Sequence, residues 1–286
     1  MRFGQEASSQ TQLVKQPMTD PLIPSAELVK RVVNIECRCT LSRLGVLERL
    51  PGNPVGVEHK RVGEAFCLSA RHIPNSSFNR VVGLTDEHVE EVPGLIAWFE
   101  ERKIAARFEI IPGIACPGVL KRLAACGFAQ SEFHAVLYGR PRAARENAPD
   151  VTVEVVGEAT LETFLDCYAA GWGVPDATGF KNNVRGWLAV PGWTLYLGRY
   201  QGKPAGGAIL YRDGRTAYCA DSAVDPSLRG HGVHQALLGR RSADAATAGA
   251  DLVCAQAAYL STSQRNMIRL GLALLCTKAI WTRVRA

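Results

Sequence analysis

The sequence lacks any hydrophobic stretch long enough to cross a membrane. A membrane helix needs about 18 or more consecutive apolar residues, and the 286 residues contain no such run. Residues 1–25 are polar and have no apolar core of the kind found in a secretory signal. We therefore predict that residues 1–25 form a disordered leader, and that the protein is cytoplasmic with no membrane partner.

The nine cysteines are scattered, odd in number and free of Cys-x-x-Cys pairs or Cys/His clusters with zinc spacing. We expect reduced, buried thiols and no metal site. Charged residues make up 21% of the chain and apolar residues 47%, as in a soluble globular protein. The net charge of +6 comes from basic residues that are dispersed, so the sequence does not predict a nucleic-acid partner.

The most informative stretch is 216–241, which predicts a strand, a turn and a helix. Residues 216–224 are apolar and free of Gly and Pro, and Asp225 and Pro226 end the strand. Two glycines then precede a good helix start, so backbone N–H groups can converge on an anion near the positive end of the helix dipole. A phosphate or pyrophosphate is the expected ligand. Basic side chains accompany this turn: Arg229, His231, His234, Arg240 and Arg241.

Two common phosphate motifs do not fit this turn. A P-loop needs Gly-Lys-Ser/Thr, and a dinucleotide fingerprint would need glycine where Gln235 stands. The pattern Arg/Gln-x-x-Gly-x-Gly/Ala does fit, read as Arg229, Gly232 and His234. In this the chain resembles the GNAT superfamily of acetyl-CoA-dependent N-acyltransferases. His234 departs from the small residue expected at the end of the pattern.

The order of predicted elements extends the resemblance over 151–286. The pattern indicates a strand, two helices, three meandering strands, the glycine turn with its helix, then strand, helix and strand. Residues 261–266 and 269–272 resemble the family's Ser-x-Ser-x-Arg-Asn and Arg-x-Gly-Phe, with Leu272 in place of Phe. The resemblance implies an α/β fold, a mostly antiparallel mixed sheet flanked by helices.

The first half is predicted to be a degenerate second copy. The run 120–128 before a strand parallels 266–272 before the closing strand, so 26–140 is interpreted as a GNAT-like domain and 141–150 as the linker. Residues 85–91 contain no glycine pair, and four of the seven side chains are acidic, so they would repel a phosphate. One carboxylate beside a phosphate costs on the order of 4 kcal/mol at 4 Å, so no CoA is expected there. An unrelated α/β domain is the alternative.

The resemblance also assigns roles around the turn. It implies that the backbone of Ser222, Ala223 and Val224 holds the pantetheine arm of acetyl-CoA. It implies further that N–H groups of the turn hold the pyrophosphate. The residues of this turn are Arg229, Gly230, His231, Gly232, Val233, His234 and Gln235.

The sequence offers few candidates for the base and the acid of the reaction. Asp221 is the carboxylate in the strand where the family keeps its base, and a solvated or salt-bridged strand residue is the alternative. Many family members place Tyr where this chain has Met267, which has no proton to give. Ser263 or water is then the candidate acid for the leaving thiolate.

The acceptor is expected to be an amine of a small molecule or peptide. Trp172, Trp187 and Trp193 lie around the first two helices of the second half, and they predict either an acceptor stacked on indole or plain core packing. An N-acetyltransferase is the function predicted. A CoA-binding or partner-binding module with little turnover is the alternative, and a nucleotide-phosphate binder is the third. A homodimer is compatible with the sequence.

Overall fold

The computed structural model describes residues 22–73, 76–115, 117–143, 146–174 and 177–284. Most of the leader predicted for 1–25, and Cys116, lie outside these residues. The described strands are β1 Val57–Val62, β2 Ala65–Ala70, β3 Arg80–Val82, β4 Arg107–Ile110, β5 Phe128–Gly139, β6 Val151–Val155, β7 Trp193–Tyr200, β8 Lys203–Asp213, β9 Thr216–Val224, β10 Leu252–Ala258 and β11 Ala273–Arg283. The described α-helices are α1 Ala26–Glu48, α2 Val92–Glu101, α3 Pro117–Ala125, α4 Leu161–Trp172, α5 Thr178–Arg185, α6 Val233–Thr247 and α7 Thr262–Leu270.

The helices begin and end where local chemistry dictates. Ser25 caps α1 by accepting from the N–H of Leu28, and Ser261 caps α7 by accepting from the N–H of Gln264. Gly271 ends α7 in the left-handed conformation, which a residue without Cβ adopts at little cost. Within the described residues no helix is both long and apolar enough to span a bilayer.

All the described strands join one sheet in the order β1-β2-β3-β4-β11-β5-β10-β9-β8-β7-β6. Two neighbouring pairs are parallel, β3 with β4 and β9 with β10, and the others are antiparallel. The predicted class, a mostly antiparallel mixed sheet flanked by helices, is therefore confirmed.

The two halves of the chain exchange their last strands at the centre of the sheet. β5, from the first half, pairs with β10, whereas β11, from the second half, pairs with β4. β5 and β11 also pair with each other. The sequence predicts a sheet for each half, but one continuous sheet forms, because nothing in a strand's own pattern specifies which half supplies its neighbour.

Helices cover both faces of the sheet in the second half. α6 and α7 cover one face, with Leu237 and Leu270 in its core cluster. α4 covers the opposite face with Phe164, and α1 lies beside it with Val32 and Ile35 in the same cluster. A helix of the first half therefore contributes to the core of the second half.

Two local features of the first half depend on single residues. Residues 61–70 contribute to a hairpin, because Gly63 has a φ of 54° and turns the chain between β1 and β2. Thr85 is the N-cap of the short 3-10 helix Asp86–His88, and α2 follows only at Val92.

Candidate functional site

The strands β9 and β10 separate partway along their length. Their parallel ladder joins only four residues of each strand, from Thr216 and Leu252 to Cys219 and Ala255. Beyond it β9 continues to Val224 and β10 to Ala258. The edges that face each other past Cys219 and Ala255 are unpaired in this ladder, so an extended ligand can lie between them as an added strand.

A bulge in β9 lies at the start of this gap. Ala208 of β8 pairs with Ser222, but Leu210 pairs with Cys219, so Ile209 faces both Ala220 and Asp221. A bulge bends its strand and redirects its side chains. Asp221 therefore lies in the bulge at which the gap begins.

Arg241 of α6 holds the bulge in place. Its guanidinium Nη1 donates to the carbonyl oxygens of Ile209 and Ala220 at 3.0 and 3.1 Å, and its Nε donates to that of Leu237. The side chain is almost fully buried. Arg240, the other α6 arginine predicted beside the phosphate turn, pairs with Asp244 at 3.0 Å, so both guanidinium groups are bound to groups of the protein itself.

The predicted glycine turn lies directly before α6. Gly230 and Gly232 have φ values of 89° and 84°, in the left-handed region that favours glycine. Gly232 is the N-cap of α6, and a Cβ on Gly230 would meet no atom within 4 Å. The free N–H groups and the positive end of the α6 dipole are thus presented at an open turn.

The side chains of the turn lie on different sides. Arg229 and His231 are exposed; the Arg229 Nε donates to the carbonyl of Val224 at 3.2 Å, and the His231 ring stacks on Tyr200 with centroids 4.2 Å apart. Val233 is buried against Gly198. These three side chains are therefore engaged by Val224, Tyr200 and Gly198, away from one another.

His234 lies between α6 and α7 and is neutral at physiological pH. Its Nδ1 is 3.0 Å from the Nδ2 of Asn266 on α7. Burial, and then the nearby charge of Arg241, lower the pKa of His234 to about 4. The imidazole replaces the small residue of the motif and fills this position with an uncharged hydrogen-bonding ring.

A cleft of about 190 Å³ runs from the glycine turn between α6 and α7. Its lining includes Glu146, Asn147, Ala148, Gly232, Gln235, Ala236, Gly239, Asn266, Arg269 and Leu270. The predicted linker thus forms one wall of this cleft. A Cβ built on Gly232 would lie 2.9 Å from the Cβ of Ala148, so the linker approaches one glycine of the turn while Gly230 stays open.

The linker is fixed to the second half at its other end. Arg142 donates its N–H to the hydroxyl of Ser242 at 2.8 Å. Its guanidinium lies so close to Gly271 that any Cβ there would clash, at 2.3 Å from Cζ. The segment predicted as a connection between domains is therefore part of the cleft.

Two buried polar groups lie just past the last ladder pair, one on each side of the gap. The hydroxyl of Ser222 and the amide nitrogen of Gln256 have no hydrogen-bond partner among the described residues. An unpaired buried polar group costs about 1–3 kcal/mol. Next to Ser222, Ala223 is packed against Gly171 of α4 at a distance that leaves no room for a Cβ on the glycine.

The candidate base is ion-paired. Asp221 Oδ2 is 2.7 Å from Nη2 of Arg43, and the Asp221 side chain is 39% exposed. The salt-bridged alternative for Asp221 is therefore what the structure shows, with the carboxylate still reachable from solvent. Arg43 belongs to α1 of the first half and was missed from the sequence. The signal was its helical spacing from the buried Glu36 and Cys39.

The two candidate acid positions differ in environment. Met267 is buried in the core beneath α7, so this position provides no proton. Ser263 lies in the first turn of α7 and is half-buried. No hydrogen bond among the described residues connects Ser263 with Asp221, and the role of Ser263 as the acid stays a prediction.

The three tryptophans do not form one surface. The Trp187 and Trp193 rings are buried with centroids 5.2 Å apart, and Trp193 donates to the hydroxyl of Ser42 on α1 at 2.9 Å. Trp172 is 49% exposed at the end of α4, with its ring edge on Tyr168. Core packing therefore explains Trp187 and Trp193, whereas Trp172 faces solvent.

The corresponding turn of the first half is closed. β3 and β4 form a parallel pair as β9 and β10 do, and the turn that follows contains Glu90, which pairs with Arg122 of α3 at 2.6 Å. Gly118 of α3 packs so tightly on the turn that a Cβ would lie 2.9 Å from the Asp86 carboxylate. Carboxylates and α3 occupy the region that the glycine turn leaves open in the second half. Among the described residues, no cluster of three or more His, Cys, Asp or Glu could hold a metal ion.

Comparison with known families agrees with this geometry. Residues 131–259 match the family model described as an acetyltransferase (GNAT) domain, a stretch that contains the gap, the bulge and the glycine turn. This part of the chain is a GNAT domain. The resemblance found in the sequence is thereby confirmed at the level of the superfamily.

Solved structures share the fold of nearly the whole chain. A GCN5-related N-acetyltransferase from Kribbella flavida aligns with a TM-score of 0.59 and 17% identity over 88% of this chain and 96% of its own. Another from Sphaerobacter thermophilus aligns with a TM-score of 0.55 and 13% identity over 92% of this chain and 95% of its own. A functionally unknown protein from Staphylococcus epidermidis aligns with a TM-score of 0.59 and 12% identity over 81% of this chain and 96% of its own. No curated protein sequence matches the chain. At these identities the likeness shows the fold alone, and it extends over both halves of the chain.

Proposed function

We propose that the GNAT domain binds acetyl-CoA between β9 and β10 and transfers its acetyl group to an amine. The observation that supports this most is the combination of the separated parallel strands with the open glycine turn at the head of α6. The pantetheine arm would pair with the free edge of β9 at residues 222–224. The pyrophosphate would accept from N–H groups of the turn, each charge-assisted bond being worth roughly 1.5–3 kcal/mol.

The reaction requires a neutral amine next to the thioester. The nitrogen lone pair forms a bond to the acetyl carbon, the C–S bond breaks with its electrons going to sulfur, one proton leaves nitrogen and one reaches the thiolate. We propose that Asp221, reachable from solvent at the bulge, receives the proton of the amine. With Met267 buried, the thiolate proton comes from Ser263 or from water.

The first half would bind no CoA. The carboxylates of its turn and the packing of Gly118 on Asp86 leave no anion site at the position that corresponds to the glycine turn. We expect one acetyl-CoA per chain.

Calorimetric titration with acetyl-CoA tests the binding step. Gly232→Asp places a carboxylate at the turn and should abolish binding. Gly202→Asp is the control for an aspartate at a positive φ, because Gly202 has a φ of 76° but lies in the turn between β7 and β8; it has no neighbouring atom within 4 Å, whereas Gly232 faces Ala148. It should bind like the parent. If Gly232→Asp also binds like the parent, the assignment of the turn is wrong.

A thiol-release assay over a panel of amines separates the transferase from the alternative. A CoA-binding module with little turnover is favoured by the buried Met267 and by His234 at the small-residue position. Tight binding with no thiol release for any amine would support that module. A nucleotide-phosphate binder would instead be displaced from acetyl-CoA by ATP as readily as by CoA.

A further inference from the structure

Arg43 crosses from the first half of the chain to the reaction side of the second half. It extends from α1, pairs with Asp221 at 2.7 Å, and keeps 13% of its side chain exposed. Its Cζ lies 4.9 Å from the ring centroid of Trp187 and 5.7 Å from that of Trp193. Stacking on indole and one carboxylate together hold the guanidinium at the bulge of β9.

The charge of Arg43 is secure in this position. Burial opposes the charge, but Asp221 and other neighbours outweigh it and raise the pKa of Arg43 above its ordinary value. The groups that face it from α1, α4 and β9 include Cys39, Tyr168 and Asp221. A permanent cation and an accessible carboxylate therefore lie side by side next to the gap.

Two buried donors in this region have no partner. Arg43 Nε and Trp187 Nε1 make no hydrogen bond to any described residue. Both groups are donors only, and the guanidinium lies over the Trp187 ring. Buried donors are normally satisfied. A ligand that would satisfy them must bring an acceptor oxygen, and beside a guanidinium that oxygen is best carried by a carboxylate.

The place of the pair fixes where the rest of the ligand lies. Asp221 is in the bulge at the mouth of the gap, so an amine that contacts its carboxylate is next to the proposed position of the thioester. The carboxylate partner of Arg43 must then be close to that amine. The guanidinium of Arg43 and the carboxylate of Asp221 are in contact. They therefore match a ligand whose own carboxylate and amine are one or two carbons apart.

We propose that Arg43 is part of the acceptor site, and that the acceptor is a free amino acid whose amine contacts Asp221 and whose carboxylate contacts Arg43. This rests on the proposed acetyl transfer by the GNAT domain. It also gives the first half a function, because its helix α1 supplies the residue that selects the acceptor.

The test uses the full chain and acceptors matched in threes. Each amino acid of a panel is compared with its carboxamide and with its decarboxylated amine, for example phenylalanine, phenylalaninamide and phenethylamine, by thiol release from acetyl-CoA. Loss of charge-assisted hydrogen bonds of about 1.5 kcal/mol or more corresponds to roughly tenfold or more, so the carboxylate form of the best acceptor should show a kcat/KM about tenfold higher or more. Similar values within each set would overturn the proposal.

Variants separate recognition from folding. Arg43→Met should remove the preference for the carboxylate while acetyl-CoA binds as before, and Arg43→Lys should restore part of it. Arg38→Met on the same helix is the control, because Arg38 pairs with Asp213 at an exposed position, and it should keep the preference. An equal loss for all three forms in Arg43→Met would mean that Arg43 only supports the structure. The double variant Arg43→Met/Asp221→Asn leaves no unpaired charge and covers the case in which Arg43→Met does not fold; because Asp221 is the proposed base, this variant is tested by amino acid binding and not by thiol release.

Failure of the transferase proposal gives a different result. If acetyl-CoA binds and no acceptor releases thiol, the proposed reaction is wrong. Amino acid binding, measured as a shift of the unfolding temperature with CoA present, then decides the inference. A shift produced by amino acids but not by their amides, and absent in Arg43→Met, supports it. No shift with any amino acid contradicts it.

Discussion

The Arg241 guanidinium donates to the Ala220 carbonyl over 3.1 Å, and this contact stabilises the bulge from which the gap between β9 and β10 opens. A buried helix residue thus determines the path of the strand that carries Asp221. The guanidinium also satisfies the carbonyl of Ile209. The shape of the candidate site therefore depends on one cation that need not contact any ligand.

Arg241→Met should weaken both the fold and the site. Three backbone carbonyls lose a charged donor, which we expect to lower the free energy of unfolding by about 2–3 kcal/mol. Affinity for acetyl-CoA should fall as well, because the bulge loses its support. Urea unfolding and calorimetry measure the two effects. The neighbouring Arg240→Met, which breaks a half-exposed pair with Asp244, should cost about 0–1 kcal/mol. Equal losses in the two variants would contradict the role given to Arg241.

A buried charge network fixes the exchanged strand β11 to the first half. Lys278 of β11 contacts Glu109 of β4 at 2.5 Å and Glu36 of α1 at 2.9 Å, and Arg80 joins both carboxylates. Burial raises the pKa of Glu109, but Arg80 and Lys278 outweigh it and hold that pKa below its ordinary value. Lys278→Met leaves a carboxylate buried with one cation fewer.

We expect Lys278→Met to lower the free energy of unfolding by about 3–5 kcal/mol, as breaking a buried pair does. Arg283→Met, at the exposed end of the same strand, removes a pair with Glu100 and should change stability by about 0–1 kcal/mol. Because the folded-state pKa of Glu109 is depressed, its contribution is present above the unfolded pKa and is lost as the pH falls through the folded value. Replacement of Glu109 by Gln should flatten this acid limb, and an unchanged limb would refute the role of the network.

His234 should make stability depend on pH in a second window. Its folded pKa of about 4 lies below the ordinary value of about 6.5. Between these values the unfolded chain binds the additional proton, so stability falls as the pH drops from about 6.5 to about 4. Melting temperatures of His234→Asn, measured between pH 7 and pH 4.5, should decline less than those of the parent. The exposed His231→Asn should decline as the parent does. Parallel declines in all three would show that the half-buried His234 imidazole does not titrate as described.

Charges in the cleft should tune the affinity for acetyl-CoA in opposite directions. Glu146 and Arg269 line the same cleft beside the glycine turn. Glu146→Gln removes a repulsion between the carboxylate and the cofactor phosphates, and it should tighten binding by roughly two- to fivefold. Arg269→Gln removes an attraction and should weaken binding by a similar factor. These factors correspond to about 0.4–1 kcal/mol, the range for exposed charges. Both effects should shrink in high salt. Glu158→Gln, in the turn before α4, serves as the control. Affinity that does not respond to either charge would place the cofactor outside this cleft.

The sequence predicted the second half well because its signals are local. The glycines Gly230 and Gly232 and the apolar strand that precedes them are recognised from a few neighbouring residues, and both are confirmed as structural features. The roles of these residues toward acetyl-CoA stay predictions. The sequence did not predict that Arg241 is buried, since a basic residue on a helix gives no indication of which face is buried until the sheet is placed.

What the sequence did not predict depends on contacts between distant segments. Arg43 and Asp221 are separated by most of the chain, as are Lys278 and Glu36. The exchange of β5 and β11 and the position of the linker along the cleft have the same origin. Strand patterns specify which face is buried but not which strand lies alongside, so these relationships appear only in the folded chain.

A crystal structure of the full chain with acetyl-CoA is the most direct test of the central claim. The account predicts one ligand per chain, with its thioester between β9 and β10 beside Asp221 and its pyrophosphate on the N–H groups of residues 230–235. A ligand bound at the turn of the first half, or a second half whose gap stays empty while acetyl-CoA occupies another surface, would contradict it.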